Sequence, residues 1–224
     1  MGSIALNKLD NVIYTLDDWQ KNLIGITAYC PVCDEVTKIK AEGSLARQTY
    51  FTHRKNSDCP TIKENHEKYA LLPPSKRDEY NGKKIICWAK VNIHHLYSQC
   101  KEMLQGKLKF NEFSEILDKA NKKSIWFYTG LTNETLPYVL LVNYGVFPKI
   151  KGFRDADVHY IFKKDAYSDD LFLKKRISHM FRITNQDIES IELNYSTINT
   201  TKSTAPYYLW KYVKEFMNTK SDID

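Results

Sequence analysis

Apolar residues recur at three- and four-residue steps along the middle of the chain, which is the spacing of one face of an α-helix. The first stripe extends over about five turns and comprises Ile85, Trp88, Ala89, Ile93, Leu96, Cys100, Met103 and Leu104. A second stripe comprises Phe110, Phe113, Ile116, Leu117 and Ala120. The pattern predicts two amphipathic helices, over 85–104 and 110–120, each with one buried face.

Short runs rich in β-branched and aromatic residues predict strands on both sides of these helices. In the N-terminal part they cover 12–14, 24–29, 35–40 and 48–52, with a turn signal at 42–44. In the C-terminal part they cover 124–129, 138–143, 158–163 and 188–195. Two further helices are predicted over 62–72 and 206–217. Helices that are followed by strands and then by a helix favour an α+β fold over a parallel βαβ array.

Pro73 and Pro74 divide the chain, because two consecutive prolines end a helix and extend the backbone. We therefore predict one domain over 1–72 and a second over 73–224. Residues 1–70 hold 9 Lys/Arg and 9 Asp/Glu, whereas residues 71–224 hold 24 and 18. The net charge of +6 thus belongs to the second domain, and it excludes both a histone-like polycation and an acidic solvating tail.

No apolar run in the sequence approaches the length of a membrane span, since the longest, 138–142, has the length of a strand. The first ten residues also lack the apolar core of a signal peptide. We therefore expect a soluble cytoplasmic protein that has no membrane partner. In that reducing compartment, clustered cysteines bind metal more often than they form disulfides.

Three of the five cysteines and one histidine have the spacing of a zinc site. Cys30 and Cys33 form a CxxC knuckle, and His53 and Cys59 follow after a predicted hairpin that would bring the two halves together. Three thiolates and an imidazole are a ligand set that Zn²⁺ binds tetrahedrally. Because four protein ligands leave no open position, we interpret the zinc as structural. His66 is an alternative fourth ligand if His53 points away.

The predicted fold class is accordingly α+β, with a small N-terminal zinc-ribbon-like module followed by a mixed helix and antiparallel-sheet domain. A redox CxxC would continue into a helix, whereas Pro31 and the strand-like segment 35–40 argue against one here. Cys87 and Cys100 fall near the apolar stripe, so we interpret them as small core residues.

The cysteine-containing region resembles the N-terminal zinc-binding region of the competence protein CoiA-like family. The matching segments are Tyr29-Cys30-Pro31-Val32-Cys33, Tyr50-Phe51-Thr52-His53-Arg54-Lys55-Asn56-Ser57-Asp58-Cys59 and Glu64-Asn65-His66-Glu67. They correspond to the family's CP-x-C knuckle, to its "HFAH" segment with a basic pair and a Cys, and to the helix that follows. Tyr50 and Thr52 replace the first His and the Ala of that segment. The resemblance covers about residues 25–72 and implies zinc ligation by the same three cysteines and His53.

CoiA-like proteins often continue into a nuclease domain of the PD-(D/E)xK type, in which two acids hold Mg²⁺ and a Lys orients the attacking water. Here Asp155 and Asp157 precede a predicted strand, and Glu64 would be an upstream acid. The next strand carries Glu189 and Glu192, neither of which is followed by a Lys two places on. We therefore interpret the two aspartates as part of a solvated loop and keep a divergent Mg²⁺-dependent nuclease as an alternative.

Basic residues of the second domain form clusters that would attract a phosphate backbone. Lys149, Lys151 and Arg154 alternate with Phe147 and Phe153 in a Gly/Pro loop. A second cluster consists of Lys174, Lys175 and Arg176. These clusters predict contact with DNA or another nucleic acid.

The sequence therefore predicts a zinc-stabilised protein that associates with nucleic acid and does so as an accessory subunit with protein partners. The CoiA-like resemblance implies that its complex serves bacterial DNA processing or anti-phage defence. Besides the nuclease, a protein–protein adaptor without nucleic-acid contact remains an alternative, because the aromatic-rich segment 207–212 has the composition of an interface core. The sequence has no Gly-rich phosphate loop and no G-x-S-x-G motif, which disfavours ATP use and serine hydrolase chemistry.

Overall fold

The structure is a computed structural model that describes residues 2–41, 43, 49–62, 65, 76–162, 179–184 and 187–193. Within these residues, five α-helices combine with three antiparallel sheets, which confirms the α+β class. The strands are β1 (Ile4–Asn7), β2 (Val12–Thr15), β3 (Lys38–Lys40), β4 (Tyr50–Thr52), β5 (Val146–Phe147), β6 (Val158–Phe162), β7 (His179–Thr184) and β8 (Ile188–Glu192). The helices are α1 (Leu16–Asn22), α2 (Glu79–Val91), α3 (Ile93–Met103), α4 (Phe110–Lys122) and α5 (Leu136–Tyr144).

The chain divides into two compact units. The first unit comprises Met1–Pro73, Gly145–Ser168 and Lys175–Leu193, and the second comprises Pro74–Tyr144, Asp169–Lys174 and Asn194–Asp224. The predicted boundary between residues 72 and 73 lies one residue before the observed division between Pro73 and Pro74. The predicted domain 73–224 differs from the observed units, because β5 to β8 belong with the N-terminal residues. Apolar residues of this sheet pack against the cysteines of the first unit, which explains the grouping.

In the described N-terminal residues of the first unit, two short hairpins accompany one helix. β1 pairs with β2, and β3 pairs with β4, both antiparallel. The hydroxyl of Thr15 caps α1 by accepting a hydrogen bond from the backbone N of Asp18 at 3.2 Å. The buried Trp19 of α1 meets the ring of Phe51 on β4 edge to face, with 5.8 Å between the ring centroids. This contact fixes the β3–β4 hairpin beside the N-terminal hairpin and its helix.

A four-stranded antiparallel sheet in the order β5-β6-β7-β8 completes the described part of the first unit. β6 and β8 confirm the strands predicted near 158–163 and 188–195, and β2 confirms the one at 12–14. β7 was not predicted, since His179 and Arg182 interrupt its apolar residues. Ile161, Phe181 and Ile183 lie on one face of this sheet and are buried.

The second unit is mainly helical over 76–144. The helix predicted over 85–104 is wrong in one respect. Instead of a single helix over 85–104, α2 ends at Val91 and α3 begins at Ile93. The side-chain amide of Asn92 donates to the carbonyl of Trp88 at 2.9 Å, and short polar side chains that bond the backbone in this way favour helix ends. The predicted helix at 110–120 is confirmed by α4.

Two predicted strands, 124–129 and 138–143, are wrong. Residues 125–127 form a 3₁₀ turn, and the apolar run 138–143 lies inside α5. A short apolar run does not distinguish a strand from a fully buried helix by its period, and α5 is buried on nearly every side. Tertiary contacts complete this helix: the ammonium of Lys119 on α4 donates to the carbonyl of Tyr144 at 2.8 Å, which satisfies a carbonyl at its C-terminus.

The remaining predictions are confirmed in part, are wrong, or lie outside the described residues. The predicted strand at 24–29 is wrong apart from an isolated bridge at Tyr29, whereas β3 and β4 confirm the C-terminal portions of 35–40 and 48–52. The helix at 206–217, most of the helix at 62–72 and the double proline lie outside the described residues. Among the described helices, none combines the length and the apolarity needed to cross a bilayer.

Candidate metal centre

Four side chains converge in the first unit, and they are the four predicted from the sequence. The ligand atoms of Cys30, Cys33, His53 and Cys59 all lie within 4.8 Å of one another. Sγ of Cys33 lies 3.4 Å from Nε2 of His53, and Sγ of Cys30 lies 3.8 Å from Sγ of Cys59. Tetrahedral ligation with Zn–S near 2.3 Å and Zn–N near 2.05 Å places such atoms about 3.6–3.8 Å apart. The cluster can therefore hold a metal ion such as zinc.

The first ligand loop is held by its own backbone. The backbone N of Cys30 donates to the carbonyl of Glu35 at 2.8 Å, and the backbone N of Asp34 donates to the carbonyl of Cys30 at 2.9 Å. Asp34 has φ of 59°, a left-handed conformation that Asp tolerates better than most residues. The backbone N of Val32 also points at Sγ of Cys30, at 3.4 Å. The loop thus places both thiols near the other two ligand atoms.

The second ligand loop is held by polar side chains that the sequence patterns did not single out. The backbone N of Cys59 donates to Oγ of Ser57 at 3.1 Å, and Oγ1 of Thr61 lies 3.1 Å from Sγ of Cys59. The amide of Asn65 donates to the carbonyls of Ser57 and Cys59, at 2.8 and 3.1 Å. A Ser two residues before a ligand is a local turn signal that indicates such a bond. Nothing in the sequence alone indicates the contact from Asn65.

The thiols of Cys30 and Cys59 differ in acidity. Contacts from the thiols of Cys30 and Cys33, together with Thr61, hold the pKa of the Cys59 thiol well below its usual range. The pKa of the Cys30 thiol is raised, through its contacts with Cys33 and Cys59 and through burial. The thiolate is the form that ligates metal, so the lowered pKa of Cys59 favours ligation.

The three cysteines of the candidate metal centre are part of the core of the first unit. All three cysteines are buried and form one apolar cluster with Val32 and with residues of the four-stranded sheet. The sheet residues in the cluster are Ile161, Phe181, Ile183 and Ile188. His53, the first residue after β4, is less buried than the cysteines. A metal ion bound here would therefore join the two ligand loops to the sheet.

The acids of the nuclease alternative have other surroundings in the structure. Asp155 is exposed, and a carboxylate oxygen of Asp157 accepts a hydrogen bond from the backbone N of Lys149 at 2.7 Å. That bond fixes the loop between β5 and β6 and gives Asp157 a structural contact. Glu64, and likewise the alternative zinc ligand His66, lie outside the described residues.

The residues predicted to bind nucleic acid also differ among themselves. Lys149 and Lys151 are exposed. Arg154 is 1% exposed, and its guanidinium carbon lies 5.5 Å and 5.9 Å from the ring centroids of Phe147 and Phe153. This burial leaves the guanidinium no surface at which to meet a phosphate. The cluster Lys174 to Arg176 lies outside the described residues.

The sequence predicts core positions for both cysteines outside the cluster, Cys87 and Cys100. Cys100 is fully buried in α3, which confirms the interpretation for that residue. Cys87 is exposed, so the interpretation is wrong there.

Comparisons with protein-family models, with curated proteins and with solved structures found no match to this chain. The CoiA-like resemblance therefore stays a prediction from the residues that carry it. The interpretation of the site rests on its own geometry.

Proposed function

We propose that this protein is a zinc-stabilised, nucleic-acid-associated accessory subunit of a bacterial DNA-processing or anti-phage defence complex. The observation that carries the proposal is the closed set of four ligands in the core of the first unit. The nucleic-acid contact rests on exposed basic residues, and the cellular context rests on the CoiA-like resemblance.

Zinc is the metal that this ligand set favours. Three thiolates and one imidazole are soft and borderline ligands that select Zn²⁺ over Mg²⁺ or Ca²⁺, which prefer oxygen. Four protein ligands leave the ion no position for water or substrate, so its contribution is to folding. The knuckle before the β3–β4 hairpin and the second ligand loop after it support the proposal of a zinc-ribbon-like module.

The exposed lysines between β5 and β6 support contact with a polyanion. Lys149 and Lys151 lie in a loop that is held at one end by the bond from the backbone N of Lys149 to Asp157. A bridge between Ile150 and Arg154 closes the turn between them. A fixed loop presents its charges to a phosphate backbone with little loss of conformational entropy on binding.

Metal analysis tests the zinc-binding part of the proposal. We expect the purified protein to contain about one equivalent of zinc, because four ligands form one tetrahedral site. Cys30→Ala should lose the zinc, whereas the control Cys87→Ala should keep it, since Cys87 is an exposed cysteine outside the cluster. Absence of zinc from the purified protein, or equal zinc in both variants, would reject the structural zinc.

Salt-dependent binding of an oligonucleotide tests the nucleic-acid association in the proposal. The zinc-loaded protein should bind single- or double-stranded DNA or RNA with an affinity that falls as salt concentration rises, because phosphate contacts release counterions. Lys149→Ala with Lys151→Ala should reduce the slope of log affinity against log salt. Absence of binding at low salt would reject nucleic-acid association, and plasmid nicking with Mg²⁺ that Asp157→Ala abolishes would favour the nuclease instead.

A further inference from the structure

A cleft of ≈ 720 Å³ lies within the first unit, between the two metal-ligand loops and the four-stranded sheet. One wall contains Cys30 and Pro31 of the first ligand loop together with His53, Arg54 and Lys55 of the second. The volume lies in the range of small-ligand sites, about 300–1,000 Å³, and is too small for a nucleic-acid duplex. The cleft therefore suits a ligand of the size of one or two nucleotides.

The sheet side of the cleft is one row of cross-strand neighbours. Val146 on β5 pairs with His159 on β6, His159 pairs with Ile183 on β7, and Ile183 pairs with Ile188 on β8. All four residues line the cleft. Directly paired residues point to the same face of a sheet. Ile183 and Ile188 are buried in the cluster that contains the cysteines, so the exposed part of the row is Val146 with His159, an apolar side chain beside an imidazole. Such a surface accommodates a sugar or a base.

The opposite side of the cleft is basic. Among the described residues, the Lys, Arg, Asp and Glu side chains that line it are Lys40, Arg54, Lys55 and Asp157, which sum to +2. The first three are exposed. The ion pair of Arg54 with the partly buried Glu35 measures 3.7 Å. The Arg54 side chain is 77% exposed, and solvent screening weakens such a pair, so a phosphate can compete for the guanidinium.

We infer that this cleft binds a nucleotide, with its phosphate at Lys40, Arg54 and Lys55 and its sugar and base on Val146 and His159. Under the proposed function, on which this inference rests, the nucleotide is one unit of a single strand. A free nucleotide has the same chemistry, and binding of a mononucleotide beside that of an oligonucleotide separates the two sources.

The basic residues of the cleft also lie in or beside a ligand loop. There they would compensate the charge of the metal centre instead of binding a phosphate. Three thiolates, a neutral imidazole and Zn²⁺ sum to a formal charge of −1, which nearby cations such as Arg54 and Lys55 would compensate. In that case their removal would change the zinc affinity and leave the nucleotide affinity of the zinc-loaded protein as it was. All variants are therefore to be compared at equal, measured zinc content.

The test measures binding of a fluorescent single-stranded oligonucleotide, and of a mononucleotide, to the zinc-loaded full chain. Each lost phosphate contact lowers the salt slope by about 0.7, which corresponds to about fivefold in affinity at 0.1 M salt. Lys40→Ala with Lys55→Ala should thus weaken oligonucleotide binding by about 25-fold and lower the slope by about 1.4. Lys38→Ala is the matched control, because Lys38 is exposed on the same strand and the same face as Lys40 but does not line the cleft.

A second pair of variants tests the sheet side without removing a cation. Val146→Glu places a carboxylate in the cleft at a residue that is 43% exposed, so the fold should tolerate it. Val12→Glu is its control, because Val12 is 44% exposed on a strand but does not line the cleft. Val146→Glu should weaken binding at least as much as the loss of one lysine, and Val12→Glu should leave it unchanged.

Each outcome separates the inference from the proposed function. Oligonucleotide binding that the cleft variants reduce and the controls do not supports both. A second outcome is that the cleft variants reduce mononucleotide binding, the controls do not, and the protein binds the oligonucleotide no more tightly than the mononucleotide. This outcome supports the cleft and rejects association with a strand. Oligonucleotide binding that the cleft variants and the controls affect equally overturns the cleft inference and leaves the proposed function standing. Binding of neither probe overturns both.

Discussion

The two compact units differ in what holds their secondary structure together. In the first unit the strands are 2 to 6 residues long, and one of its core clusters contains three cysteines. In the second unit the helices are 9 to 13 residues long, and side chains such as Phe113 and Leu141 are fully buried. Short elements bury little apolar surface, so the first unit needs an additional source of stability. Under the proposed function, a bound metal would replace part of the core in the unit whose elements are short.

Removal of the metal should produce the largest effect, and only in the first unit. Structural zinc contributes about 10–16 kcal/mol of binding free energy in small zinc modules, most of which appears as folding free energy. A chelator should therefore abolish hydrogen-exchange protection of amides in β3, β4 and β6, while amides of α2 to α5 stay protected. Added zinc should restore the protection. Equal loss of protection in both units would show that the metal stabilises the whole chain.

Truncation of a core residue in the second unit tests the other half of the comparison. Phe113 is fully buried, and the ring of Tyr97 lies 5.2 Å from it between centroids. In a urea titration, Phe113→Ala should lower the free energy of unfolding of this unit by about 3–5 kcal/mol, because it leaves a cavity. The zinc content should not change. As a control, Tyr80→Ala, at a residue 73% exposed, should have little effect in the same urea titration.

Close helix packing in the second unit gives a smaller effect. A Cβ on Gly82 of α2 would overlap Cδ1 of Phe127 and lie 3.0 Å from Cε1. Overpacking typically costs about 1–3 kcal/mol, which exceeds the gain of about 1 kcal/mol from higher helix propensity. Gly82→Ala should therefore destabilise the unit, and the same change in a Phe127→Ala background should not. Stabilisation by Gly82→Ala alone would show that the ring moves aside freely.

A helix cap gives the smallest effect. The carboxylate of Asp78 accepts a hydrogen bond from the backbone N of Asn81 at 2.9 Å, at the start of α2. Asp78→Ala should lower the free energy of unfolding by about 1 kcal/mol, whereas Asp78→Asn should change it by a few tenths, since both Asp and Asn cap well. Thermal unfolding measured by circular dichroism would reveal the difference. Equal losses in both variants would show that the carboxylate charge, rather than the cap, stabilises the helix.

Local patterns predicted the parts of the fold in which one face is buried. The 3.6-residue period predicted α4, and runs of strand-forming residues predicted β2, β6 and β8. The same reasoning failed for α5, because its residues are apolar on nearly every side and carry no period. It also missed the end of α2 at Asn92, where one side-chain amide interrupts an otherwise continuous stripe.

The metal ligands were predictable because their chemistry is written in residue type and spacing. A thiol is rare, and two pairs of ligands on either side of a hairpin seldom arise without a metal to bind them. The contacts of Thr61 and Asn65 with the second loop were not predictable, since hydroxyls and amides are common and nothing distinguishes these two in the sequence. The burial of Arg154 was not predictable either, because a basic residue in a loop is usually exposed.

The sequence by itself determined the Cys/His cluster, the α+β class and the amphipathic helix α4, since each depends on residues close together in the chain or on rare residue types. The tertiary structure alone decided that β5 to β8 join the N-terminal residues in one unit. It also decided that Lys40 and Lys55 face Val146 and His159 across a cleft. Those relations depend on which strands pair over long separations, and pairing is selected by burial of a shared face, which no local pattern records.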